Sequence, residues 1–65
     1  MKSNAELQKN VQDEISLTPM LNPAEIGVTA KDGLITLTGV VDDYSKKLAA
    51  ENAAKKVKGV KAVAE

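Results

Sequence analysis

Cysteine, histidine, tryptophan, phenylalanine and arginine are absent from this 65-residue chain, and tyrosine occurs once. Without cysteine there is no disulfide staple, no thiol nucleophile and no information on redox compartment. Without histidine the common activator of a serine hydroxyl is missing, so Ser3, Ser16 and Ser45 have no imidazole to take their protons. The acids are scattered and have no His or Cys beside them, which argues against a metal set. A net charge of zero, no arginine and only Tyr44 to stack on a base argue against nucleic acid. No apolar run approaches the roughly 20 residues of a membrane span. Met1-Lys2-Ser3-Asn4 leads into polar sequence rather than an export signal. These absences point away from an enzyme and away from any cofactor. They also require an aliphatic core in a single domain spanning residues 1–65, near the lower size limit for a fold without staples.

What is present is organised around Asp32-Gly33. Asp-Gly between two runs rich in β-branched residues predicts a two-residue type I′ turn, which needs positive φ at both positions. The register then pairs Lys31 with Leu34, Ala30 with Ile35, Thr29 with Thr36, Val28 with Leu37 and Ile26 with Gly39. Alternation along a strand places Val28, Ala30, Ile35 and Leu37 on one face, and Thr29, Lys31, Leu34, Thr36 and Thr38 on the other. The second strand is expected to run from Leu34 to Val41.

Upstream, Ser3 followed by Glu6 fits a capping box, predicting a helix from about Asn4 to Leu17, before Thr18-Pro19. Leu7, Val11 and Ile15 form its apolar stripe. Met20 and Leu21 are expected to plug the end of the core. Asn22-Pro23 predicts a single helical turn with Asn22 as its cap. Downstream, Asp42 or Asp43 caps a second helix reaching about Val57, which reads more simply than a paired-carboxylate or cation site. Ala50, Ala53, Ala54 and Val57 share one face, and Gly39 is expected to let that flat face approach the sheet. Gly59 supplies the left-handed residue after this helix, and Val60 to Ala64 forms a third strand with Val60 and Val63 inward. Right-handed crossover puts the second strand in the centre, antiparallel to the first and parallel to the third. The predicted fold is α+β: a two-layer αββαβ sandwich, with a three-stranded mixed sheet and both helices on one face.

Charge is unevenly spread. Met1 to Tyr44 carries three lysines against seven acids, and Ser45 to Glu65 carries six lysines against two. Two readings stand: the lysines steer the molecule to an anionic surface, or they complement a helix C-terminus and keep the chain soluble. Tyr44 and Leu48 lie one helical turn apart, opposite the alanine face and near Lys47 and Glu51. They read either as an interfacial anchor or as a tyrosine folded on a loop beside an ordinary exposed leucine.

The ordered set of residues resembles the BON domain, a small bacterial module. The resemblance runs from Leu7 to Val63, through Val11, Ile15, Ile26, Val28, Asp32-Gly33, Ile35-Thr36-Leu37-Thr38-Gly39, Ala50, Ala53, Ala54, Val57 and Gly59-Val60. Gly33, Gly39 and Gly59 are its structural glycines. It implies a non-catalytic module of the cell envelope, associated with phospholipid binding and osmotic stress, with periplasmic location. The family often carries two copies and an export signal. This chain shows one copy and no signal, so a fragment of a tandem protein and a cytoplasmic chain are both expectations. Expected partners are an anionic phospholipid surface, or another BON domain or envelope protein. Expected contact residues are Tyr44, Lys47, Leu48, Lys55, Lys56 and Lys58.

Overall fold

Ser3 begins the first helix by accepting a hydrogen bond at its Oγ from the Glu6 N–H, 3.1 Å away. The computed structural model describes residues 3–39 and 43–65. Its elements are α1 (Asn4–Ser16), a 3-10 turn (Pro23–Glu25), β1 (Gly27–Lys31), β2 (Leu34–Thr38), α2 (Tyr44–Lys55) and β3 (Ala62–Ala64). The sheet order is β1-β2-β3, with β1 antiparallel and β3 parallel to the central β2. The αββαβ order and the mixed sheet therefore agree with the sequence reading.

The hairpin turn has Asp32 at φ 50° and Gly33 at φ 88°, both in the left-handed region that a type I′ turn demands. The pairing follows as predicted from Lys31↔Leu34 to Gly27↔Thr38. It stops there. Ile26 instead closes the 3-10 turn, where Asn22 Oδ1 accepts from Ala24 N and Asn22 Nδ2 donates to Glu25 Oε1.

Leu7, Val11 and Ile15 from α1 meet Val28, Ile35 and Leu37 from the sheet and Ala50, Ala53, Ala54 and Val57 from the α2 segment in one buried cluster. Small alanine side chains let α2 lie close to its neighbours. Ile26, Ala30, Ala49, Val60 and Val63 border the cluster, half-buried. The sheet's other face leaves Thr29, Lys31, Leu34 and Thr38 exposed.

Several expectations need correction. Leu21 is buried, but Met20 is exposed, because the turn that seats one turns the other outward. Gly39 does not admit α2. It lies beyond β2 at φ 85°, and a Cβ there would overlap the Glu25 carbonyl oxygen. The chain bends at Gly39, so β2 ends at Thr38, and residues 40–42, including the expected strand end and Asp42, lie outside the described residues. Asp43 caps α2, with its Oδ1 accepting from Ser45 N at 2.8 Å. The helix ends at Lys55, and Gly59, at φ 105°, belongs to the following turn, closed by Val60 N to Val57 O. β3 starts at Ala62 because Lys61 N and Ala62 N both donate to the Gly33 carbonyl, which fixes where the parallel ladder begins.

One tertiary bond had no counterpart in the sequence pattern. Asn4 Oδ1 accepts from the Asp32 N–H at 2.9 Å, tying the start of α1 to the hairpin turn. Asn4→Ala is expected to cost about 1 kcal/mol, the usual net worth of one such bond. The shift in urea midpoint measures it, and an unchanged midpoint would show that water replaces the amide without loss.

Candidate functional site

α2 has two sides. Its inner side is alanine because it must lie close to the core, which leaves its outer side free to carry other residues. At about 100° per residue, Tyr44, Lys47, Leu48, Glu51 and Lys55 fall on one outer stripe. Tyr44 is 76% exposed and Leu48 43% exposed. Tyrosine therefore does not fold back onto a loop. Lys47 and Lys55 are exposed beside them, and Lys55 Nζ lies 3.6 Å from Glu51 Oε1 across one helical turn. An exposed i,i+4 pair of this kind contributes about 0.3–0.5 kcal/mol.

The six expected contact residues do not form a single patch. Tyr44, Lys47, Leu48 and Lys55 share the stripe. Lys56 sits at the helix C-cap, about 100° further round. Lys58 lies in the turn beyond and lines a separate cavity of about 580 Å³ with Asn4, Glu6, Leu7, Asp32, Gly33, Gly59 and Lys61. That cavity has two carboxylates and two ammonium groups around it, so its charge is balanced.

One further acid, Glu65 just beyond β3, reaches the α2 stripe. Burial raises the Glu65 carboxyl above its ordinary value, as do a hydrogen bond to Glu51 and the Glu51 charge, while Lys47 pulls it down. Such a carboxyl resists ionising in the fold. The stabilisation it gives is present below its unfolded value and lost as pH rises through its folded value. Sequence spacing did not reveal this pair, because it depends on β3 returning beside α2.

Chemically, the stripe offers an apolar-aromatic ridge flanked by ammonium groups, with no nucleophile–base pairing. Among the described residues, no group of three His, Cys, Asp or Glu side chains is placed to hold a metal ion. No described helix is long and apolar enough to cross a membrane. The BON domain family model matches residues 3–65. No curated protein matched the chain.

Proposed function

The chain belongs to the BON domain family, a family of non-catalytic modules, and from that premise we propose that it meets anionic phospholipid through the outer stripe of α2. In this reading it has no enzymatic activity and serves a bacterial envelope or osmotic-stress protein on the periplasmic side. The observation that carries it is the exposure of Tyr44, 76%, beside Leu48 and two lysines. A tyrosine ring suits the boundary between acyl chain and water, since its body is apolar and its hydroxyl wet. Lys47, Lys55 and, from the helix end, Lys56 would meet lipid phosphates, each contributing about 1 kcal/mol near a charged surface. Two apolar side chains insert little area, so binding is weak and depends on charge.

Sedimentation with vesicles tests this. Lys47→Gln is expected to weaken binding to anionic vesicles about fivefold, and the triple change Lys47→Gln, Lys55→Gln, Lys56→Gln to abolish measurable binding. Equal binding of the triple variant, or equal binding to uncharged vesicles, would sink the proposal.

A second reading, a protein-interaction module within a larger chain, draws on the sheet. Its threonine-bearing face is uncovered, and β3 is an edge strand whose outer side can pair with another chain.

A further inference from the structure

β3 lies at one edge of the sheet, paired on one side with β2 and with no other described strand. An edge strand carries a row of outward N–H and C=O groups that another strand can complete. Charge at such an edge keeps copies apart when like signs meet. Here the signs differ. Lys61 and Glu65 stand at equal distances from Val63, the middle residue of β3, and both are exposed. Antiparallel pairing of β3 with itself, centred on Val63, sets Lys61 opposite Glu65 and Ala62 opposite Ala64, each pair occurring twice. Opposite charges facing across strands favour pairing, and the alanines present no bulk. The other edge lacks this property: β1 runs from Gly27 to Lys31, and pairing it with itself about its middle residue sets Lys31 opposite Gly27.

The faces agree as well. Lys61, Val63 and Glu65 alternate onto one side of the strand. Val63 packs against the core, so that side is the helix side. There the Glu65 carboxyl is hydrogen-bonded to Glu51, with Lys47 nearby. In the antiparallel register Lys61 of a second copy arrives beside these two acids.

We propose that two copies of this chain join through β3, antiparallel about a two-fold axis at Val63, with Lys61 of each against Glu65 of the other. This rests on the edge-strand reading given above and names its partner. The contact is isologous and closes on itself, so assembly stops at a dimer. With the axis normal to the sheet, two three-stranded sheets become one continuous sheet, helices on one side and threonines on the other. One short strand from each copy buries less than the roughly 1,200 Å² of a stable interface. The dissociation constant is accordingly on the order of 1 mM, and it rises with salt because the charges are exposed.

Charge reversal decides it, by sedimentation without lipid, at low salt and up to millimolar protein. The wild-type chain is expected to dimerise. Lys61→Glu alone, and Glu65→Lys alone, each turn two attractive pairs into two repulsive ones and should weaken dimerisation at least about tenfold, leaving monomers. An equimolar mixture of the two variants should dimerise, because one copy then carries two acids and the other two lysines. The double variant, with both changes in one chain, should dimerise again by itself. Both positions are exposed, and circular dichroism checks that each variant is folded. In the wild type, isotope-filtered NOEs between a labelled and an unlabelled copy should appear within residues 61–65. A wild-type chain that stays monomeric would overturn the proposal, as would a dimer with no such NOEs. Single variants that dimerise like the wild type would overturn it too, and so would a folded mixture or double variant that stays monomeric. Amide exchange in dilute protein separates this from the broader edge-strand reading. Slow exchange at all of Ala62, Val63 and Ala64 in the monomer would show the edge already closed and sink both, whereas fast exchange in a chain that never dimerises sinks self-pairing alone.

Discussion

Ile35→Ala is expected to leave the domain largely unfolded at room temperature. Ile35 is fully buried in the central strand, opposite Ala30 on β1 and Val63 on β3, within the cluster that includes both helices. Truncating such a residue typically costs about 2–5 kcal/mol, from lost transfer free energy and the cavity left behind. A single core of this size rarely supplies more than about 3–5 kcal/mol in all. Its partners on the flanking strands, Ala30 and Val63, are smaller than isoleucine and cannot fill the space. The same truncation at Leu34, one residue earlier and 44% exposed, should cost well under half as much. Urea unfolding followed by circular dichroism measures both. A stable Ile35→Ala domain would mean that the two helices close over the gap, and that the layers are less tightly fixed than their burial implies.

The second large effect is expected at Gly39. Its φ of 85° already disfavours any side chain, by about 1–2 kcal/mol. The added Cβ would also collide with the Glu25 carbonyl oxygen, which is main chain. Glu25 is held in place, since its N–H donates to Asn22 O at 3.0 Å and its carboxylate accepts from Asn22 Nδ2 at 2.8 Å. Gly39→Ala should therefore cost at least about 2 kcal/mol, about half of what a domain this small has. Gly27→Ala makes the informative contrast. There the new Cβ would meet Thr38 Oγ1, the end of a side chain that can rotate away, and no positive φ is involved. That substitution should change stability by less than about 1 kcal/mol. Thermal melts of the pair report the difference, and equal losses would show that Gly39 is not confined to its bend.

The hairpin was legible in the sequence because its determinants are local. Asp32-Gly33 dictates the turn, the turn dictates the register, and alternation then assigns Val28, Ile35 and Leu37 to the core. α1 was equally readable from Ser3 and the Leu7, Val11, Ile15 stripe. Errors arose where one residue serves two geometries. Gly39 fitted a sheet position under a small-sided helix, yet its use is a bend against Glu25, and only the spatial return of residues 23–26 reveals that. Met20 and Leu21 are both apolar neighbours, and pattern alone could not say which one the Thr18–Leu21 turn, closed by Leu21 N to Thr18 O, would face inward. The Asn4–Asp32 bond spans 28 residues and leaves no periodic trace. In the candidate site, helical stepping put Tyr44, Lys47, Leu48 and Lys55 together, but it could not separate Lys58, which leaves the helix, or bring Glu65 to Glu51.

The α2 stripe has a physical logic that follows from the core. An alanine inner face confines the helix's larger side chains to its outer face, so Tyr44 and Leu48 are presented to whatever the domain meets.

Lipid contact is tested most directly by paramagnetic broadening of amide signals, using anionic nanodiscs that carry a spin label at the headgroup. Broadening is expected to be strongest at Tyr44, Lys47, Leu48 and Lys55 and weak at Thr29, Thr36 and Thr38 on the opposite layer. Uniformly unbroadened spectra, or broadening centred on the threonine face, would contradict contact through α2.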